Sequence, residues 1–140
     1  MNLTDALRRK FDSIGELSEK AVAELESLPL FETAARRGDE VVSEGSRATS
    51  CCLLLEGYMH REKVFLNGSR QILAFHFAGD IPDLQSLHTS TMDHSLVATT
   101  DCRIALIPHE PLKELTHRSP AIGDLLCRDS LIDAAIFRTW

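Results

Sequence analysis

With 140 residues, 44% of them hydrophobic and 26% charged, the chain has the length and balance of a single domain with one real core. Fifteen basic against twenty-one acidic side chains leave a formal charge of −6, which argues against a nucleic-acid binder relying on a basic footprint. No apolar run approaches the roughly 18–20 residues of a bilayer span, and MNLTDALRRKF lacks the apolar region of a secretory signal, so a cytoplasmic protein without a membrane partner is expected.

Leu3, Leu7, Phe11 and Ile14 recur at helical spacing and Gly15 follows as a stop, which predicts a first helix. Its basic cluster, Arg8-Arg9-Lys10, reads as a solvated face rather than a binding site. Ser18 is a good N-cap for a second helix, with Leu17 placed to staple onto Val22. Val22, Leu25 and Leu28 give its buried face, and Pro29 ends it.

The period then changes. Gly38-Asp39, Glu44-Gly45-Ser46, Glu56-Gly57 and Asn67-Gly68 punctuate short runs, the pattern of an all-β sandwich or barrel. Cys51 to Leu55 is continuously apolar, as in a strand covered on both sides. Asn67-Gly68 predicts a hairpin with a type I′ turn, in which both central residues take positive φ. Tyr58 to Leu66 would pair across it with Arg70 to Phe77. Along the second strand Leu73, Phe75 and Phe77 share one face, read as the core face, with Ile72, Ala74 and His76 on the other.

The strand breaks at Ala78-Gly79-Asp80, and a short helical turn follows from Asp83 to Leu87. Two more strands, Ser95 to Thr99 and Cys102 to Ile107, are joined at Thr100-Asp101. The stretch from Asn67 to Ser95 therefore has the form of a pocket, with strand, turn, short helix and polar loop set against another strand. Glu110 to His117 predicts a helix. Ser119-Pro120 then gives a clean start to a last one running to the end of the chain. Ile122, Leu125, Leu126, Ile132, Ile136 and Trp140 mark one apolar side of it, Leu131 and Ala135 another. A helix apolar on more than one side buries more than one side, so one side is assigned to the barrel and the other to a second copy. Leu125, Ile132 and Ile136 are the expected dimerisation residues, although Asp129 interrupts a strict heptad seam. The helix carries no stop signal at Trp140, and a longer protein is expected to continue past it.

Four cysteines, Cys51, Cys52, Cys102 and Cys127, form no CxxC pair. They read as buried reduced thiols, because a redox role lacks a basic neighbourhood. Neighbours in a strand, Cys51 and Cys52 point to opposite faces. The six histidines, His60, His76, His88, His94, His109 and His117, lack the His-x-His core of a cupin metal site. A small cupin-like metalloenzyme is therefore the weaker alternative, and His76 reads as a partly buried, hydrogen-bonded histidine rather than a ligand. No Ser-His-Asp set, phosphate-cradling glycine loop or carboxylate pair suggests an enzyme. No cofactor is expected. A ligand-free interaction module is a further alternative.

Three stretches carry a resemblance: CCLLLEGYMHREKVFLNGSRQILAFHFAGDIPDLQSL, DHSLVATTDCRIALIPHEPLKEL and the terminal LIDAAIFRTW. In that order they resemble the N-terminal sensory domain of the cyclic AMP receptor protein/FNR (Crp/Fnr) family of bacterial transcription regulators, across essentially the whole chain. The resemblance implies a mainly β fold with flanking helices. Residues 1–118 would be a cyclic-nucleotide-binding-like β-roll or jelly roll, and residues 119–140 the start of a long dimerisation helix. It also implies a homodimer, a small-molecule effector of unknown identity, and DNA contacts through a C-terminal winged helix-turn-helix absent from this chain.

The family's phosphate cassette, Gly-Glu-Leu and then Arg-Ser or Arg-Thr, falls on Pro82-Asp83-Leu84 and His94-Ser95. The resemblance thus makes Pro82, Asp83, Leu84, His94 and Ser95 the ligand-binding candidates. Pro82 removes a backbone N–H, Asp83 is shorter than Glu, and His94 stands in for the arginine. The intervening His88, Thr89, Ser90, Thr91 and Met92 add no basic charge except through histidine. Cyclic AMP bound in the usual way is therefore not expected. The family's iron–sulfur branch needs N-terminal cysteines, and no Cys precedes Cys51.

Overall fold

Strands cut to length by the glycine turns assemble into two antiparallel sheets. The computed structural model describes residues 3–89 and 91–138, the side chain of Phe137 excepted; Ser90 and Trp140 lie outside them. Strands β1 (Phe31–Ala35), β3 (Ser50–Glu56) and β7 (Cys102–Pro108) form one sheet in the order β1-β7-β3. Strands β2 (Glu40–Val42), β4 (Met59–Val64), β5 (Arg70–His76) and β6 (Ser95–Ala98) form the other, in the order β2-β6-β4-β5. Helices α1 (Leu3–Ile14), α2 (Glu19–Glu26), α3 (His109–Arg118) and α4 (Pro120–Arg138) flank them.

The continuous apolar run of β3 has a direct cause. Cys51 and Leu53 pack into a core shared with Leu7, Phe11, Leu25, Leu115 and Ile122 of the helices. Cys52 and Leu54 face the opposite way, into the roll, with Met59, Leu96, Ala98 and Ile104. The helix start and stop signals are realised, although on α2 Ala21 rather than Val22 is buried beside Leu25. Gly15 N–H bonds to the Phe11 carbonyl at 3.1 Å, and Ser18 Oγ accepts from Ala21 N–H at 3.1 Å. The Ser119 carbonyl accepts from Ile122 and Gly123 at the head of α4.

Five expectations are corrected. Gly68 has φ 83° but no non-glycine among the described residues, Asn67 included, has positive φ, so the β4–β5 hairpin is not type I′. Gly68 N–H bonds to the Phe65 carbonyl and Phe65 N–H to the Ser69 carbonyl, each at 2.9 Å. These bonds define a three-residue loop closed by a left-handed glycine. Asn67 instead holds Ser69 N–H through Oδ1.

The core face of β5 is also reversed. Phe75 and Phe77 are 52% and 56% exposed, whereas His76 is 6% exposed. The register pairs Met59 with His76 and Arg61 with Ala74, so these four share the inner face. Phe75 pairs with His60 on the outer face, and Tyr58 meets Phe77 edge-on at 5.6 Å.

Leu125, assigned to dimerisation, is buried in the chain's own core with Ile122 and Leu126. Ile132 and Ile136 do offer exposed surface, as does Leu131. Cys51, Cys52 and Cys102 are buried, but Cys127 is exposed. Lys10 is not a merely solvated charge, for its ammonium lies 3.0 Å from Asp129 and 3.6 Å from Asp80, tying α1 to α4 and to the turn after β5.

Candidate ligand-binding site

A cavity of about 780 Å³ opens between the inner face of the β4–β5 pair, the segment after β5, and α4. That size is typical of small-molecule pockets. Gly79 N–H and the Asp80 carbonyl both bond to Leu54, which fixes the turn leaving β5. The chain then passes Pro82 into a 3-10 turn, Leu84–Leu87. Pro82 and Leu84 line the cavity from this side, and Ile132, Asp133 and Ile136 line it from α4.

Arg61 crosses the space between these walls. It is 8% exposed, and its Nη2 lies 2.9 Å from Asp133 Oδ1. Its Nε is buried without a partner among the described residues. Beside it on the inner face, His76 turns Nδ1 toward Asp80 Oδ2 at 3.4 Å and leaves Nε2 buried and unpartnered. Burial raises the pKa of Asp80. The His76 contact, the Phe77 N–H and the Lys10 charge outweigh it and hold the carboxyl below its usual range.

His94 reaches the cavity but is fully engaged. Its Nδ1 lies 2.7 Å from Asp93 Oδ1 and its Nε2 3.2 Å from the Gln85 amide nitrogen. An Nδ1–H donating to the carboxylate, with Nε2 accepting from the amide, is the neutral tautomer that satisfies both contacts. Burial, aided by the Arg61 and His76 charges and opposed by Asp93, lowers its pKa. A neutral ring with both nitrogens occupied does not replace an arginine.

Three of the five candidates, Pro82, Leu84 and His94, line the cavity, while Asp83 and Ser95 do not. Asp83 is 1% exposed, and its Oδ1 accepts from Cys52 N–H at 2.7 Å, binding the 3-10 turn to β3. Burial raises its pKa to about 7 against the pull of that hydrogen bond. Ser86, on the same turn, bonds to His109 Nε2 at 3.0 Å. Ser95 Oγ accepts from Glu44 N–H at 2.9 Å, which places it in the link between β2 and β6. Burial, followed by the Asp83 charge, pushes the Cys51 thiol up to about 12, so that sulfur is inert as a nucleophile. Among the described residues no group of three or more His, Cys, Asp or Glu is placed to hold a metal ion.

Residues 32–119 match the model of the cyclic nucleotide-binding domain. The chain belongs to that family.

A probable transcriptional activator from Rhizobium leguminosarum bv. viciae is 27% identical to this cyclic nucleotide-binding domain over 103 residues. The match takes in 74% of this chain and 42% of that protein, so the domain spans less than half of the relative's length. Two solved structures share the fold. A cyclic nucleotide-binding domain from Methylobacillus flagellatus aligns with TM-score 0.76 at 21% identity, over 97% of this chain and 79% of its own. The N-terminal domain of a transcriptional regulator from Streptomyces coelicolor aligns with TM-score 0.71 at 20% identity, over 96% and 94%. The likeness to a Crp/Fnr N-terminal sensory domain, read from the motifs, holds, as does the mainly β roll with flanking helices.

Within this cyclic nucleotide-binding domain the sequence reading missed Arg61, Asp133, Gln85 and Lys10. Arg61 had one available signal. In Met59-His60-Arg61, period-two alternation puts Arg61 on the same face as a buried methionine. A charge at such a position needs a partner.

Proposed function

We propose that this chain is the effector-sensing part of a Crp/Fnr-type transcription regulator, and that it does not hold cyclic AMP in the usual way. One observation carries the reading: the cavity in the roll is walled on one side by α4, and Arg61 spans it to Asp133. A ligand entering there changes what α4 rests on, and so shifts the population of helix arrangements. A winged helix-turn-helix following α4 would convert that shift into DNA binding. Pairing of α4 through Leu131, Ile132 and Ile136, which are 64%, 45% and 54% exposed, would make the homodimer. The setting is cytoplasmic and the role non-enzymatic. Among the described residues no helix is long and apolar enough to cross a membrane.

Pro82 has no N–H to offer a phosphate, and His94 is neutral and engaged. A missing charged partner costs on the order of 1.5–3 kcal/mol, about ten- to a hundred-fold in affinity. Calorimetric titration with cyclic AMP and cyclic GMP is expected to show no saturable binding at micromolar concentration; a micromolar Kd for either overturns the altered-cassette reading. The reading frame beyond the Trp140 codon is expected to encode a helix-turn-helix. Its full-length product is expected to sediment as a dimer. An unrelated downstream sequence or a strictly monomeric product counts against the regulator assignment.

A further inference from the structure

We propose that the cavity binds an organic monoanion, a carboxylate on an apolar body, through Arg61 and His76, and that the bound carboxylate displaces Asp133 from Arg61. The assignment deepens the sensor reading of the same cavity and rests on it for its regulatory meaning.

Among the described residues, two buried polar atoms at the cavity lack partners, Arg61 Nε and His76 Nε2. Both side chains line the space, and they are diagonal neighbours on the inner face of the β4–β5 pair. Arg61 is 8% exposed and His76 6%, so bulk water does not satisfy them. Arg61 Nε is a donor only and calls for an acceptor. His76 Nε2 accepts from a hydroxyl when the ring is neutral and donates to a carboxylate when it is protonated, with Nδ1 facing Asp80 in both states. The guanidinium already holds a carboxylate, that of Asp133, through Nη2 alone. Asp133 is 42% exposed at its side chain and sits on α4, where it serves as an intramolecular stand-in for the ligand. A ligand engaging Nε and Nη2 together would make the two-point contact that Asp133 does not.

The surrounding charges select the class. Asp80, Asp93, Asp129 and Asp133 all line the cavity. Each has a basic partner, namely His76 and Lys10 for Asp80, His94 for Asp93, Lys10 for Asp129 and Arg61 for Asp133. A phosphate dianion would face four carboxylates, with the Lys10 ammonium already shared by Asp80 and Asp129 and one guanidinium left to hold it. A cation would leave Arg61 Nε still unpaired. One negative charge balances the one guanidinium. The rest of the wall, including Ile81, Leu84 and Ile132, is apolar and fits a hydrocarbon body.

The test uses the 140-residue chain with matched probes, octanoate against octanol and phenylacetate against phenethyl alcohol, alongside inorganic phosphate and cyclic AMP. Calorimetry gives Kd. A fluorophore on Cys127, the exposed thiol of α4, reports the helix, since Cys51 and Cys52 are buried. At least one acid is expected to bind ten-fold or more tighter than its alcohol. Arg61→Gln is expected to erase that preference. Asp133→Asn, which removes the competing carboxylate, is expected to tighten acid binding about ten-fold and leave alcohol binding unchanged. Because the two variants move in opposite directions, misfolding of the first does not imitate the result.

Equal binding of acid and alcohol overturns the proposal. So does a preference that survives Arg61→Gln, weaker acid binding by Asp133→Asn, tighter binding of phosphate or cyclic AMP than of any acid, or no acid binding to either wild type or Asp133→Asn. Arg61-dependent acid binding with a silent Cys127 probe supports the carboxylate site and counts against the sensor reading. A probe response to a non-acid effector, with no acid bound, does the reverse.

Discussion

Gly57→Ala is expected to cost about 2–5 kcal/mol of folding stability, a large share of the roughly 5–15 kcal/mol a domain has. Gly57 sits at φ 95°, where a side chain costs about 1–2 kcal/mol. A Cβ there would lie 2.5 Å from the Asp101 carbonyl oxygen, 2.9 Å from Cys102 Sγ and 2.9 Å from Thr100 Oγ1. The nearest of these is backbone, so relief requires moving one turn away from the other, at about 1–3 kcal/mol. The two turns are joined by design of the chain itself. Tyr58 N–H bonds to Thr100 Oγ1 at 3.1 Å, and Thr99 N–H bonds to the Tyr58 carbonyl at 2.9 Å. Gly45 supplies the control, because it has φ 82° but none of the described residues within 4 Å of a built Cβ. Urea unfolding of both alanine variants should show Gly45→Ala losing only the conformational part. Equal losses would show that the contact with the Asp101 turn contributes nothing.

The order of elements was legible because each boundary has a local chemical cause. Ser18 caps, Gly15 stops, Pro120 starts, and the glycine turns cut the strands. Residue faces were less legible. Alternation shows that Phe75 and Phe77 share a side of β5, but not which side is inside. Hydrophobicity chose wrongly there because β5 is an edge strand whose inner face borders a cavity rather than packed side chains. The polar His76 therefore lies inside, and the aromatic residues cover Tyr58 and His60 outside. The same two-sidedness misled the reading of α4. Leu125 and Ile132 fall on one apolar stripe in sequence, yet the first lies against the core and the second on the cavity wall.

The site was legible in place but not in chemistry. The cassette frame pointed to the segment around Pro82 and to His94, and both do border the cavity. The group that dominates it, Arg61, belongs to a strand outside that frame. Its partner Asp133 is 72 positions away, so no spacing in the sequence connects them. Asp83 shows the converse. A position made a ligand-binding candidate by resemblance holds the 3-10 turn to β3 through the Cys52 N–H.

That structural role makes Asp83 the source of the second large effect, a loss of stability as pH rises. The unfolded chain releases this proton near pH 3.8, while the folded chain keeps it to about pH 7 because burial disfavours the charge. Well below pH 3.8 both states are protonated and the contribution is whole. Between the two values the unfolded state gains by ionising, and above pH 7 the loss is complete, about 4 kcal/mol. Other groups slope the opposite way. Asp80 and Asp93, with lowered pKa values, lose their contribution toward acid. His94 and His109, also lowered, lose theirs as pH falls through and below 6.5. The wild-type curve alone therefore mixes the signs, and Asp83→Asn isolates the one of interest. Its amide carbonyl still accepts from Cys52 N–H. Its NH2 takes the place of Oδ2, which has no partner, at a pH-independent cost of about 1–3 kcal/mol. Urea unfolding at pH 4.5 and pH 8 should find the variant the less stable protein at the lower pH and the more stable at the higher. The gap between the two proteins should change by about 3 kcal/mol over that range. Parallel curves would mean that Asp83 is ionised when folded at pH 4.5. A charge would then already lie beneath the turn that carries Pro82 and Leu84, and the floor of the cavity would be held by an ion rather than by a neutral acid.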